Sequence, residues 1–162
     1  MALFVDITDL YYKLLKKFGS GKLDYGKYLE EAKKILDFSD PKIIAYGCQE
    51  GNEASSFIKY IQSLGCITKY KRPYVLKIGN RDIKRCNWLV GISVDIFKEI
   101  FENDDTNIII GVSNPDIIPL VKYLKEKSVS VTIFACNIPA SLQKLTTCIE
   151  ITEDLLENKK DV

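Results

Sequence analysis

Short apolar runs alternate with amphipathic stretches along this chain. Residues 2–5 predict a first strand and residues 10–18 a helix. Tyr28, Leu29, Ala32, Ile35 and Leu36 then recur at helical spacing. Residues 42–46, behind Asp40-Pro41, predict a second strand. Phe57, Ile58, Ile61 and Leu64 make another helix face, closed by Gly65. Residues 66–70 and 74–78 predict short extended segments around Arg72-Pro73. Ile96, Phe97, Ile100 and Phe101 lie on one face of a further helix, ended by Asn103-Asp104-Asp105. Residues 107–112 predict an uninterrupted apolar strand, and Ile117, Leu120, Val121 and Leu124 the helix after it. Residues 129–135 and 148–151 predict the last strands.

Strands alternating with helices argue for a three-layer α/β/α sandwich, with a mainly parallel central sheet covered on both faces. One Rossmann-like domain is expected over residues 1–155, followed by a polar tail at 156–162. In such sheets ligands bind outside the carboxyl ends of the strands, where the strand order reverses. The residues just after each strand therefore matter most. Asp6 and Asp9 follow the first strand, and Asn114 and Asp116 follow the strand at 107–112. Asp95 enters a helix between them, with Glu99 one turn on.

Carboxylates gathered at strand ends repel one another unless a cation sits among them. Mg²⁺ takes oxygen ligands, often one or two carboxylates with waters and a substrate phosphate. Asp6, Asp95 and Asp116 suit that role, with Asp9 and Asn114 as further donors. The competing explanation is that Asp9 and Asp116 are helix N-caps. Asp6 resists it, because a carboxylate directly after a core strand is desolvated without evident local purpose.

Composition narrows the chemistry. The chain has 162 residues, 46% hydrophobic and 28% charged, with 23 Lys and Arg against 22 Asp and Glu. Overall charge predicts no polyanion, so any basic site must be local. The absence of histidine removes Ser-His-Asp and Cys-His nucleophiles. Five cysteines without CxxC spacing predict reduced, mostly buried thiols in a cytoplasmic protein. No run approaches membrane-spanning length.

Two local features remain. Gly19-Ser20-Gly21-Lys22 hints at a phosphate loop, but the full pattern needs Gly at Lys16 and Ser or Thr at Leu23. It is expected as a loop between helices. Residues 66–88 carry Lys69, Lys71, Arg72, Lys77, Arg81, Lys84 and Arg85 against Asp82 alone, interleaved with Tyr70, Tyr74 and Trp88. Cations would meet phosphates and rings would stack on bases. A solvated face is the alternative.

Four segments carry a family resemblance. LFVDITDLYY resembles an opening strand that ends in Asp, and KLDYGKYL resembles the segment after the first helix. SVDIF resembles an internal Val-Asp pair. VSNPDIIPLVKYLKEKSVSVTIF resembles an S-G-D-S-D-F-x-P-L segment with its following helix and strand. In this order, over roughly residues 1–155, they resemble an NYN domain, a branch of the PIN-like nucleases. The resemblance implies a Mg²⁺- or Mn²⁺-dependent nuclease acting on RNA, with Asp6, Asp95 and Asp116 as first, second and third metal ligands. The chain departs from the pattern at Asn114, where the family has an Asp, and at Ile92, where it has a Lys. Ser113 and Pro115 replace the small neighbours, and Asp9 replaces an Asn.

Two functions follow. One is an endoribonuclease hydrolysing phosphodiester bonds, with residues 69–85 holding a single strand. The other is a domain that kept the fold and lost the metal, serving as a nucleic-acid-binding or adaptor module. A small-ligand α/β protein is a third class supported only by the fold. Monomer and homodimer both stay open.

Overall fold

The computed structural model describes residues 1–50, 54–79, 81–104 and 106–157. Its centre is a six-stranded sheet built from β1 (Ala2–Asp6), β2 (Lys42–Cys48), β3 (Ile67–Lys71), β6 (Asn107–Gly111), β7 (Ser130–Ala135) and β8 (Thr147–Glu150). The order is β3-β2-β1-β6-β7-β8, and every pairing is parallel. The remaining strands, β4 (Tyr74–Ile78) and β5 (Arg81–Arg85), form a separate antiparallel hairpin. The helices are α1 (Ile7–Phe18), α2 (Tyr25–Leu36), α3 (Ala54–Ser63), α4 (Leu89–Asn103), α5 (Ile118–Glu126) and α6 (Ala140–Gln143).

The chain moves outward from β1 through β2 to β3, then α4 carries it back to β6 on the other side of β1. Right-handed crossovers put α1 to α3 on one face and α4 to α6 on the other. Side-chain alternation agrees. Val5 and its register partner Gly111 face α2, where a Cβ on Gly111 would stand 2.6 Å from the Tyr28 hydroxyl oxygen. Asp6 and its partner Tyr46 point the opposite way, and Tyr46 meets Asp95 of α4. The strand order reverses between β1 and β6, so the switch point lies at Asp6 and at the segment after Gly111.

The core explains the strand runs. Leu3, Phe4, Ile108, Ile109 and Ile110 are wholly buried between the helical layers. Each such side chain contributes about 1.5–3 kcal/mol through burial. Two-sided burial is why these strands read as continuous apolar runs rather than alternating ones.

Three sequence expectations are corrected. Helix α1 begins at Ile7 rather than residue 10, because Asp6 is its N-cap and accepts from the Thr8 and Asp9 amides at 3.0 Å each. The short elements β5 and α6 lie outside the apolar runs and helix faces that the sequence predicts. Cys48 and Cys86 form a disulfide, so the expected set of five reduced thiols does not hold; Cys66, Cys136 and Cys148 are free. These two cysteines lie 38 residues apart, and only the unseen hairpin brings the end of β5 to the end of β2. Leu156 is buried and bridges to Leu23, while 158–162 of the expected tail lie outside the described residues, as does Asp105. Among the described residues no helix is long and apolar enough to cross a membrane.

Candidate active-site cleft

A cleft of about 480 Å³ opens at the switch point. Asp6, Asp9, Asn114 and Asp116 all line it, and the β4–β5 hairpin walls it through Tyr74, Leu76, Lys84 and Arg85. Asp6 gets there as the last residue of β1, Asp9 as the first-turn acid of α1. Asp116 sits in a 3-10 turn (Pro115–Ile117) between β6 and α5, and Asn114 directly precedes it. Asn114 caps that turn, accepting from the Asp116 amide at 2.9 Å. The capping role thus falls to Asp6 and Asn114, not to Asp9 and Asp116, and Asp6 does have a local purpose.

Electrostatics single out Asp6, which is 5% exposed. Burial pushes its carboxyl up to about 6. The neighbouring charge of Asp9 adds to the rise, while the Asp9 and Thr8 amides and the charge of Lys71 hold it back. Asp9 is balanced differently. Lys13 stands 3.5 Å from it and donates to Ser113 Oγ at 2.5 Å, and the Ser113 amide donates to Asp9 at 3.3 Å.

Asp95 does not line the cleft. It is 8% exposed on α4, one strand further out. Tyr46 donates to it at 2.7 Å, and Lys69 of β3 pairs with both its oxygens at 2.7 Å. Burial raises this carboxyl, but the Lys69 and Tyr46 hydrogen bonds and the Lys69 charge outweigh that and hold it below the ordinary value. Among the described residues, no three acidic, cysteine or histidine side chains are grouped to hold a metal ion. What the cleft offers is oxygen donors only, from Asp6, Asp116 and Asn114. That set suits Mg²⁺ in its open form, with one or two carboxylates and the remaining positions left to water and substrate phosphate.

The basic segment divides. Lys69 is taken by Asp95. Lys71 donates to the Asn87 carbonyl and lies 4.4 Å over the Trp88 ring. Trp88 donates to the Gly47 carbonyl at 2.9 Å. Tyr70 packs against Gly47, where a Cβ would come within 2.4 Å of its ring. The Lys71 and Trp88 bonds hold the hairpin's base to the sheet, beside the disulfide. Arg85 and Tyr74, register partners, face the cleft. Lys84 lines it too, paired with Glu50 at 2.8 Å. Arg72, Lys77 and Arg81 are not among its lining residues. The Gly19–Lys22 segment is a loop between α1 and α2, as expected.

Thr8, Tyr12, Leu76 and Asn87 also line the cleft and were not singled out in the sequence. A signal existed for the hairpin: Ile78 and Arg81 flank Gly79-Asn80, a two-residue hairpin turn pattern.

A family model described as NYN domain matches residues 1–152. The crystal structure of a protein of unknown function from Vibrio parahaemolyticus superposes with a TM-score of 0.81 at 20% identity, covering 96% of this chain and 94% of that one. At that identity the likeness speaks for the fold. A search of curated proteins finds no match.

Proposed function

The chain belongs to the NYN domain family, of PIN-like RNases, and on that premise we propose that it is a divalent-cation-dependent endoribonuclease working at the Asp6 cleft. The observation that carries this reading is Asp6 itself: a buried carboxylate at the switch point, pushed up to about 6, with no cation pairing it among the described residues. A carboxylate in that condition gains most from a bound cation. Asp6 and Asp116 would hold it, with Asn114 contributing its side-chain oxygen. Such a cation supplies positive charge at a phosphate and lowers the pKa of water. The chain's own residues do the rest. Arg85 holds phosphates of a single strand along the hairpin wall, and Tyr74 offers a ring for a base. Asp9, held by Lys13 and Ser113, keeps a second negative charge beside Asp6 and so favours a cation there. Asp95 supports the site from outside by fixing Lys69 and Tyr46.

The test is cleavage of a single-stranded RNA with Mg²⁺ or Mn²⁺, comparing the wild type with Asp6→Asn and Asp116→Asn. Metal-dependent cleavage lost in both variants supports the reading; cleavage that survives Asp6→Asn sinks it.

A second reading, a nucleic-acid-binding module without cleavage, is favoured by one observation. Two of the five expected ligands already have a lysine partner, Asp9 at 3.5 Å from Lys13 and Asp95 at 2.7 Å from Lys69. Calorimetric titration with Mn²⁺, with and without RNA, separates the two. RNA binding with no metal signal in either titration selects the module.

A further inference from the structure

Beside the cleft lies a second cavity, of about 540 Å³. The two share Thr8 and Tyr12. These residues are four apart on α1 and form one ridge, while Ile7 and Tyr11 form the next ridge and line the second cavity alone. The Thr8–Tyr12 ridge is therefore the divide between an acidic concavity and an aromatic one. Tyr25 and Phe57 complete the aromatic wall, meeting edge-on at 5.6 Å.

Two features mark this cavity as built rather than incidental. Tyr11 and Tyr12, 43% and 64% exposed, are set edge-on to each other at 5.3 Å, so the ridge presents paired ring surface to solvent. The floor is also pinned. Leu23 bridges to Leu156, the Glu157 amide donates to the Lys22 carbonyl at 3.0 Å, and Gly21 approaches so closely that a Cβ would stand 2.5 Å from the Tyr11 ring.

We infer that the aromatic cavity takes one nucleobase of the strand whose phosphates lie in the Asp6 cleft, turned over the Tyr12 ridge and stacked against Tyr11. The inference rests on the nucleic-acid reading of the cleft. Its chemical basis is adjacency. A single strand alternates charged phosphate with flat apolar base, and this surface alternates a hairpin-walled cleft carrying Lys84 and Arg85 with an aromatic cavity across one shared ridge. Stacking makes the subsite tolerant of base identity, because every base presents a π-face.

The experiment uses the wild-type protein and a set of short single-stranded RNAs, each with one abasic position, in EDTA so that nothing is cleaved. One abasic position should weaken binding by between about fivefold and a hundredfold, with the others nearly neutral. Tyr11→Ala should remove that position's effect while keeping the salt dependence of binding, and Tyr11→Phe should retain both. Equal binding of all abasic strands overturns the base subsite and leaves the cleft reading intact. Failure of every strand to bind, in EDTA and again with Ca²⁺ as the cation, overturns both. A free nucleoside monophosphate that binds as tightly as the intact strand also overturns the inference, because the cavity would then be a small-molecule site.

Discussion

Asp6 and Asp95 are buried to nearly the same degree, at 5% and 8% exposure. Both reach the same face of the sheet, Asp6 from β1 and Asp95 from α4 by way of Tyr46 and Lys69. Their states are opposite. Asp6 is raised by burial and faces an open cleft, while Asp95 is held low by a lysine and a phenol. Burial alone therefore does not say what a carboxylate is for. The partner decides: a buried acid with its cation supplied by the chain is architecture, and one without is a candidate functional site.

The sharpest way to break this contrast is activity. Asp6→Asn should lower metal-dependent RNA cleavage by about a hundredfold or more, since even residues that only orient metal ligands are worth 10–100-fold. Asp95→Asn should lower it less, because it acts through Lys69 and Tyr46. Initial rates of both variants at saturating Mn²⁺ decide it; equal losses would make Asp95 a partner in the chemistry.

Stability should move the other way. Burial pushes the folded Asp6 carboxyl up to about 6, above the ordinary aspartate value of about 3.9. The folded state thus holds this proton more tightly, and the stabilisation is complete below about pH 4 and lost as pH rises through 6. Asp6→Asn removes that loss and keeps a competent N-cap. At pH 7 the variant should be more stable than the wild type by about 2–3 kcal/mol, with the difference gone near pH 4. Urea unfolding at the two pH values checks it. A variant less stable at pH 7 would mean Asp6 is not burdened by its charge.

Much of this was legible in the sequence. Buried parallel strands announce themselves as apolar runs, so residues 107–112 identified β6 and Asp6 identified the end of β1. Sheet order then placed Asp6, Asp9, Asn114 and Asp116 together. The same pattern could not show where Asp95 points, because helical position fixes a face but not a partner. Lys69 sat in a basic run that looked like a polyanion site, and only the β2–β3 register, Tyr46 beside Lys69, turns it toward Asp95. The disulfide was hidden for a related reason. Cys48 and Cys86 meet only because a hairpin folds back over the sheet, a contact no periodicity reports.

On the Asp95 side, removing the cation should be costly where removing a solvent-facing lysine would not be. Lys69 is 39% exposed at its side chain, so water offsets part of the loss, and Lys69→Met should cost about 1–2 kcal/mol. Adding Asp95→Asn should recover part of it, since the unpaired charge is then gone. Thermal unfolding of the two single variants and the double closes the cycle. Strictly additive effects would show that the pair is not coupled.

The smallest effect divides the basic segment itself. Lys69 and Lys71 are engaged within the protein, by Asp95 and by Asn87 and Trp88, and neither lines the cleft. Arg85 lines it beside Tyr74. A cation already neutralised inside the fold releases no counterion from a nucleic acid, whereas one that meets a phosphate does. Arg85→Ala should therefore reduce the slope of log affinity against log salt by about 0.7 for single-stranded RNA, and Lys69→Ala should leave the slope unchanged even if it weakens folding. Filter binding across a salt series measures both, with unfolding curves confirming that each variant is folded under the assay conditions. A slope reduced equally by Lys69→Ala would return that lysine to the nucleic-acid surface. It would also mean that Asp95 gives up its cation when the strand arrives, erasing the distinction between the two carboxylates.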